Sequence, residues 1–591
     1  MHDAEMPPDA IAQWRMPTRL SGMVFRAKMG VFQARRLAID LAAGPPMLKP
    51  GPAKDFPVLI GESRTDLFSD TYDGEHLYQL GKVHNLRRAA RDLDGLVLSP
   101  GRTFSFWRQV GPTTEAKGYA TGRMLQEGCL SPATGGGLCQ LSSALYDVAL
   151  KAGCRIVERH AHSRIVPGST AARLGRDATI AWNYVDLRFA ATEGDLRLSV
   201  TLTRTELIVA LHGREGAIAP PQAAPVGPDV HLTTPEVIPF GAARSCATCD
   251  ETECHLHEPA SARLRPAKPR TAFLVDEAWP EFAAHVAGER GEADVLGQPF
   301  DPRLGQGRGR WDEAGFGAAL HAPAEAIWRS AQIRRLTSNG PARRKAELEG
   351  AAPIARSLAR RIPADVERIC VAQSMLPFLW REGALGGRAF DVMMTRLPLA
   401  ELQSRLDAAF TRHPDRASLA DFRAPAWLVE AETEALAAAE RIVTPHLEIA
   451  RLFRGRARRL AWQKPAATPM SERVAGRVFF PGPTAARKGA FELREAARAL
   501  DLEVVLGGSA LEGAGFWEGV RTLSPAGGFG GASLVVQPSL VEDQPRTLLR
   551  ALSSGLPVIA TNVCGLAPTD GLTLIPADDP EALIGAISTH Q

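Results

Sequence analysis

Short apolar runs alternate with helix-like stretches in the last quarter of the chain, and this alternation constrains the fold more than any other feature. Each run is short and rich in large apolar residues, as expected of a parallel strand that is buried on both faces. The runs are residues 478–480, 503–506, 534–536 and 558–560. Residues 489–500 and 544–554 have the length of crossover helices. The sequence therefore predicts a doubly wound, Rossmann-like α/β domain.

A less regular alternation of the same kind begins near residue 271. The candidate strands are residues 272–275, 369–372, 426–429 and 441–444. Residues 399–410 have helical spacing. A second doubly wound α/β domain is therefore expected here, with both domains facing one cleft.

The part of the chain before residue 271 has a different pattern. Residues 196–202 alternate apolar and polar side chains, as in a half-buried strand, and residues 206–212 are expected to pair with them. Residues 213–229 are too rich in Pro and Gly for a helix or a strand. We predict a multidomain chain: a helical extension (1–70), an α+β domain (71–212), a Pro/Gly-rich linker (213–270) and two α/β domains (271–465 and 466–591).

Charge and hydropathy exclude some classes of partner. A net charge of +3 over 591 residues, with scattered arginines, argues against nucleic acid. Residues 1–17 lack the apolar core of a secretory signal, and no apolar run approaches the length that spans a bilayer. Residues 19–42 suit either a basic amphipathic helix on a membrane surface or, preferably, a helix packed on the next domain. We expect a cytoplasmic protein, with work at the inner face of the plasma membrane as the open alternative.

A glycine run precedes Cys139, which opens the amphipathic stretch 141–152. A thiol at a helix start has a lowered pKa, and a glycine run there frees backbone N–H groups for a ligand. His160 or His162 downstream could act as a base, and Asp177 and Asp186 follow them. The sequence leaves two alternatives open: a catalytic thiol set, or a small buried cysteine with structural histidines.

A cysteine cluster lies in the linker. Cys246 and Cys249 have C-x2-C spacing, and Cys254 with His255 or His257 would complete four ligands. Such a set predicts a structural zinc ion. An iron–sulfur cluster is less favoured because the spacing matches neither common ferredoxin pattern. An unliganded surface loop is the alternative.

The region from about residue 77 to residue 189 resembles the VanW-like family. The matching motifs are residues 101–106, 110–112, 117–119, 135–143 with 145–146, 158–160 with 162–163, 177–179 and 186–189. This resemblance implies a link to the bacterial cell envelope. It supplies no defined chemistry.

Three motifs lie in the last domain, and the first two directly follow predicted strands. The first is the basic pair Arg487 and Lys488 before Gly489, which suits a diphosphate. The second is Glu542 after residues 537–541, a carboxylate that can hold sugar hydroxyls, and the third is the run 555–561. In this order they resemble the donor half of GT-B-type retaining glycosyltransferases.

That resemblance implies transfer of a sugar from a nucleotide donor, without a metal ion. It places Arg487 and Lys488 on the diphosphate and Glu542 on the sugar. The family pattern has a second glutamate eight positions after the first, where this chain has Arg550. This departure implies either an unusual donor, such as one with an extra anionic group, or a half that has lost catalysis.

The sequence thus predicts a hexosyl-transferring GT-B glycosyltransferase that acts in envelope polysaccharide or glycolipid assembly. Its donor would be a nucleotide sugar, and its acceptor a glycan or a lipid-linked molecule. Two other functions stay open: an acyl transferase or hydrolase that depends on Cys139, and a catalytically inactive glycan-binding scaffold.

Overall fold

The computed structural model describes most of the chain. The described residues are 18–68, 76–126, 129–162, 164–165, 173, 175–218, 226–231, 236–237, 244–246, 249, 254, 268–300, 310–336, 340–421, 423–468, 472–513, 515–525 and 527–590. None of the helices in these segments is long and apolar enough to pass through a bilayer.

The chain separates into two compact units. The first contains Met1–Arg270 with Ile362–Glu367 and Glu382–Arg388. The second contains Thr271–Arg361, Arg368–Arg381 and Ala389–Gln591.

The first unit combines helices with short, mostly antiparallel sheets. Its helices are α1 (Arg19–Ala43), α2 (His76–Leu93), α3 (Phe106–Val110) and α4 (Cys139–Lys151). Its strands are β1 (Val58–Asp66), β2 (Val97–Leu98), β3 (Thr103–Ser105), β4 (Thr121–Gln126), β5 (Cys129–Thr134), β6 (Arg155–His160), β7 (Arg164–Ile165), β8 (Arg188–Ala190), β9 (Leu196–Leu202), β10 (Glu206–Gly213), β11 (Val226–His231), β12 (Glu236–Val237) and β13 (Arg244–Ser245).

The core of this unit lies between its helices and the sheet β1-β10-β9-β2. β9 and β10 pair antiparallel, as the alternating pattern of 196–202 predicts. The apolar face of α4, including Leu141, Leu145 and Val148, is fully buried. A second sheet, β11-β6-β8-β3, carries the segment that leads to the two histidines. The predicted α+β character of this part is confirmed.

The second unit is built from alternating strands and helices. Its earlier elements are β14 (Thr271–Leu274), α5 (Pro280–Glu289), β15 (Val295–Gln298), β16 (Ala318–His321), α6 (Pro323–Arg335), α7 (Gly340–Glu349), α8 (Ala351–Ala359), β17 (Arg368–Ala372), α9 (Leu376–Arg381), β18 (Ala389–Met393), α10 (Leu399–Arg412), α11 (Ala426–Ala438), β19 (Arg441–Thr444), α12 (Leu447–Leu452) and β20 (Ala457–Arg459). Its later elements are β21 (Val474–Phe480), α13 (Ala490–Ala499), β22 (Glu503–Leu506), β23 (Arg521–Leu523), β24 (Ala532–Gln537), α14 (Arg546–Ser553), β25 (Val558–Thr561), β26 (Leu572–Ile575) and α15 (Pro580–Ser588).

These elements form two all-parallel sheets. One has the order β16-β15-β14-β17-β18-β19-β20 and the other the order β23-β22-β21-β24-β25-β26. In each sheet the chain first adds strands on one side and then returns to the other, which defines a doubly wound fold. The predicted pair of Rossmann-like domains is confirmed. The four strands predicted between residues 478 and 560 are β21, β22, β24 and β25.

One predicted strand is wrong. Residues 426–429 begin helix α11 instead of forming a strand. The short apolar run extends into Ala431, Ala435 and Leu436, which are buried at helical spacing with Leu428. A four-residue apolar run cannot by itself distinguish a buried strand from the first turn of a buried helix.

Candidate functional sites

The loop before Cys139 is shaped by close packing of backbone against backbone. A Cβ atom on Gly136 would lie 2.7 Å from the main-chain carbon of Gly122 in β4. The buried side-chain amide of Asn85 donates to the carbonyl of Gly136 at 2.9 Å. The glycine run therefore lets the loop press against β4 and fixes where α4 begins. This close approach, rather than freed N–H groups, is the structural reason for Gly136.

The structure brings Cys139, His162 and Asp177 together. Cys139 is partly exposed in the first turn of α4, and its thiol is hydrogen-bonded to the ring of His162. The Nδ1 of His162 lies 2.9 Å from Oδ2 of Asp177, which also accepts the main-chain N–H of His162 at 2.6 Å. The thiol has two further partners, the main chain of Ile180 and the side chain of Thr179.

Asp177 is fixed from both sides. Its carboxylate accepts from the guanidinium of Arg159 at 2.8 Å, and its carbonyl accepts from Arg159 Nε at 2.8 Å. The next residue, Ala178, is tied to α4, because its carbonyl accepts from Ser142 Oγ at 2.5 Å and its N–H donates to Ser143 Oγ at 3.1 Å. The carboxylate is completely buried and therefore held in one orientation toward His162.

The electrostatics of this cluster favour the ionised thiol. Burial disfavours a thiolate, but the hydrogen bond and charge of His162 outweigh it and lower the pKa of Cys139 from 9.0. Burial also disfavours a charged ring, yet the hydrogen bonds that the ring makes to Asp177 and Cys139 raise the pKa of His162 to about 9. Both shifts favour a thiolate–imidazolium pair over a neutral thiol and a neutral ring.

His160 and Asp186 belong to a separate ionic network. His160 Nε2 lies 3.4 Å from the carboxylate of Glu158, which also pairs with Arg36 of α1. Asp186 accepts from the guanidinium of Arg188 at 2.8 Å. Of the two predicted base candidates, the structure brings His162 to the thiol and gives His160 a structural partner.

The predicted zinc knuckle is described only in part. Cys246, Cys249 and Cys254 lie within the described residues, whereas His255 and His257 lie outside them. In the described segments, no group of three or more Cys, His, Asp or Glu is placed to hold a metal ion. The three cysteines therefore do not by themselves fit a zinc or iron–sulfur site.

In the second unit, the three predicted donor-site residues lie at the carboxyl ends of the strands of the six-stranded sheet. Arg487 and Lys488 form a short 3-10 turn after β21, and Glu542 follows β24. β21 and β24 are parallel neighbours. The strands that directly follow β21 are added on one side of it and the strands from β24 onward on the other side, so the strand order reverses between these two strands. Such a switch point at the carboxyl ends of strands is where doubly wound sheets bind ligands.

The two loops at this edge touch through their backbones. The N–H of Leu540 donates to the carbonyl of Arg487 at 3.0 Å. Gly489, with a φ of +79°, packs so closely on Pro538 that any Cβ atom would overlap the Pro538 carbonyl. A glycine at this position therefore sets the distance between the basic turn and the carboxylate.

Glu542 is buried and has several partners. Its Oε2 lies 2.8 Å from Nζ of Lys488 and also accepts from the side-chain amide of Gln537. Its Oε1 accepts the N–H groups of Asp543 at 3.1 Å and Gln544 at 3.2 Å. The structure thus pairs two of the three predicted donor-site residues with each other.

Two further arginines were missed by the sequence reasoning. Burial and then the charge of Arg396 lower the pKa of Arg344, and the charge of Arg487 adds to this effect. Arg396 donates to Glu432 at 2.8 Å, but its buried Nε has no partner within the described part of the chain. Arg396 follows β18, a strand that the sequence pattern does not reveal. These arginines form a positive cluster that an anion would neutralise.

Arg550 occupies the position of the missing second glutamate. It lies on the exposed side of α14, and its guanidinium lies 5.9 Å from the ring centroid of Phe529. The positive charge of Arg550, which replaces the expected carboxylate, thus lies over an aromatic ring.

Comparison with known families agrees with both predicted resemblances. Residues 81–212 match the family model described as VanW like protein, and residues 495–590 match the model described as glycosyl transferases group 1. The chain therefore carries a VanW-like domain and a group 1 glycosyltransferase domain. The second match supports a glycosyltransferase.

Two bacterial relatives match the VanW-like part. The YoaR protein of Bacillus subtilis is 42% identical over 108 residues, which cover 18% of this chain and 35% of that protein. The vancomycin B-type resistance protein VanW of Enterococcus faecalis is 34% identical over 158 residues, which cover 26% of this chain and 58% of that protein. The chain thus spans about a third of one relative and over half of the other.

Among solved structures, the chain is similar to two carbohydrate-related proteins. A sucrose-phosphate synthase from Thermosynechococcus elongatus aligns with a TM-score of 0.35 at 16% identity, covering 55% of this chain and 89% of that one. The HepE protein of Anabaena, solved with UDP and glucose, aligns with a TM-score of 0.31 at 13% identity, covering 55% and 89%.

Proposed function

We propose that this protein is a glycosyltransferase that moves a hexosyl group from a nucleotide-sugar donor to a glycan or a lipid-linked acceptor. The observation that carries the proposal is the pair of Glu542 and Lys488 at the switch point of the six-stranded sheet, 2.8 Å apart. A buried carboxylate beside a cation at this edge can hold sugar hydroxyls and a phosphate side by side.

The positive cluster supports a diphosphate in the donor. Burial lowers the pKa of Arg344, and the charges of Arg396 and Arg487 lower it further. A diphosphate between them would relieve that repulsion and would use the unpartnered Nε of Arg396. Lys488 would turn from Glu542 to the phosphate, which would leave the carboxylate to accept from the sugar.

The setting of the reaction is the assembly of bacterial envelope polysaccharide or glycolipid. The VanW-like domain supports this setting, because its resemblance implies a link to the envelope. The domain division given by the sequence belongs to the same proposal with two boundaries moved, because β1, inside the predicted extension 1–70, pairs with β10, and β11, inside the predicted linker 213–270, pairs with β6.

Helix α1 supports work at a membrane surface. One face packs on the first unit, where Arg36 pairs with Glu158 and Asp40 pairs with Arg188 at 2.8 Å. The opposite face carries an apolar stripe at helical spacing, and Leu20, Val31 and Leu41 are 67%, 69% and 79% exposed. The stripe consists of Leu20, Val24, Ala27, Val31, Ala34, Ala38 and Leu41.

Basic residues flank this stripe on both sides. With about 100° per residue, Arg19 and Arg26 lie along one edge and Lys28 and Arg35 along the other. An apolar stripe between basic edges is complementary to an anionic lipid surface, where each Lys or Arg contributes about 1 kcal/mol. Vesicles rich in anionic lipid should bind the full chain, and Val31→Asp should weaken binding more than Ile218→Asp at another exposed site. Self-association without vesicle binding would contradict this contact.

The donor proposal is tested by thermal unfolding with a panel of nucleotide sugars. A donor at about 100 times its Kd should stabilise the folded chain by about 2.7 kcal/mol. The double variant Lys488→Met with Glu542→Gln should lose this effect, whereas Glu503→Gln, at the amino end of β22, should keep it. A chain that binds glycans but no nucleotide sugar would be a binding scaffold, and the proposal would fail.

A further inference from the structure

The cluster of Cys139, His162 and Asp177 has no part in glycosyl transfer. All three residues belong to the first unit, whereas Glu542, the carboxylate of the proposed donor site, belongs to the second. The cluster therefore requires its own explanation.

We propose that Cys139, His162 and Asp177 form a nucleophile, base and orienter set that transfers acyl groups through a thioester on Cys139. The substrate class is a compound with an amide or ester carbonyl. This activity does not depend on the proposed glycosyl transfer.

The arrangement has each part that this chemistry requires. Cys139 is a partly exposed residue, and its thiol is hydrogen-bonded to the ring of His162. Asp177 holds Nδ1 of that ring at 2.9 Å and is itself fixed by Arg159 at 2.8 Å. A base oriented by a third group is the pattern of activated nucleophiles.

Other cysteines of the chain show what a structural thiol is like here. Burial raises the pKa of Cys154 and of Cys564 to about 12. Cys139 differs from both because the ring of His162 is hydrogen-bonded to its sulfur atom and lowers its pKa. A merely space-filling cysteine would not need the side chain of Thr179, the main chain of Ile180 and an imidazolium.

The reaction balances without an added oxidant or metal. The thiolate attacks the carbonyl carbon, a C–S bond forms, and the oxyanion lies near the Cys139 N–H, which has no intrahelical acceptor in the first turn of α4. The C–N or C–O bond then breaks, and the imidazolium of His162 gives its proton to the leaving amine or alcohol. Water or an amine next attacks the thioester, His162 takes its proton, the C–S bond breaks, and the ion pair is restored.

The first test measures alkylation of the full chain by iodoacetamide at pH 7, with each cysteine followed by mass spectrometry. Every unit by which a thiol pKa falls raises its thiolate fraction about tenfold. Cys139 should therefore be labelled at least about tenfold faster than Cys154. His162→Ala should slow this labelling, and His160→Ala should leave it unchanged. Equal rates for the two cysteines would overturn the proposal.

The second test uses p-nitrophenyl acetate. The wild-type chain should release a burst of p-nitrophenol and carry one acetyl group on Cys139, and Cys139→Ala should show neither. Donor-induced stabilisation should be the same in Cys139→Ala and wild type, which separates this site from the glycosyltransferase site, and an unchanged circular-dichroism spectrum reports that the variant is folded. A burst that persists in a folded Cys139→Ala chain would overturn the proposal.

Discussion

The thiol site and the donor-type site differ in how their charges are balanced. In the first unit, each charged group has a partner that stabilises the form needed for chemistry: Asp177 holds His162, and His162 holds Cys139. In the second unit, Lys488 already neutralises Glu542, while Arg344 lies near two further arginines whose charges, after burial, lower its pKa.

This difference separates a site that is complete without a ligand from one that a ligand completes. Preorganised groups keep their geometry when empty, so the reactivity of the thiol should be measurable without a substrate. A bound anion would offset the charges that act on Arg344, so the donor site should be detected through ligand-dependent stability.

The largest effect is expected from the base. His162→Ala removes the proton carrier, and general acid–base catalysis contributes about 10²–10⁴-fold. Release of p-nitrophenol should fall by that factor. His160→Ala is the matched control, because the ring of His160 lies 3.4 Å from the carboxylate of Glu158, whereas the ring hydrogen-bonded to the thiol is that of His162. Equal losses in both variants would mean that the observed pair is not the catalytic one.

The choice between these two histidines shows the limit of the sequence. His160 and His162 are two residues apart, so an extended chain would place them on the same face. β6 ends at His160, and the chain beyond it turns to meet Asp177, which is anchored by Arg159 and α4. That anchoring depends on tertiary contacts, which no local pattern contains.

The sheets, in contrast, could be predicted from short segments. A buried parallel strand is recognisable from a few adjacent residues, and β21, β22, β24 and β25 were recognised in this way. Arg344 and Arg396 could not be found, because their proximity to Arg487 arises only when the two sheets of the second unit fold together. The sequence thus predicts the loops of the donor site but not the side chains that complete it.

The next effect concerns the ion pair of the donor site. The variant Lys488→Met with Glu542→Gln removes charge-assisted hydrogen bonds, each worth about 1.5–3 kcal/mol. Each lost bond should lower donor affinity by about 10- to 100-fold in a titration, and loss of both should lower it further. Removing both partners avoids leaving one buried charge alone. Unchanged affinity would mean that the donor binds away from this edge.

A smaller effect is expected from the spacing of the two loops. Gly489→Ala places a methyl group against the Pro538 carbonyl, at a backbone φ of +79°. Gly476→Ala has nearly the same φ, +73°, with nothing within 4 Å. Both variants should lose about 1–2 kcal/mol from the backbone conformation, and Gly489→Ala should lose about 1–3 kcal/mol more from overlap. Urea unfolding measures the difference, and equal losses would contradict the close contact.

The smallest effect, about tenfold per pH unit, separates the two roles of His162. Turnover of an amide, whose amine leaves only when protonated, needs a thiolate and an imidazolium together, so its rate should fall below the lowered pKa of Cys139 and again as pH rises through about 9. Alkylation needs only the thiolate, so its rate should not fall above pH 9. In His162→Ala the alkylation profile should move toward the ordinary thiol pKa. Turnover that keeps rising above pH 9 would mean that His162 does not protonate the leaving group. The thiol site would then lack its acid, and it would no longer differ from the donor site in having every required group in place.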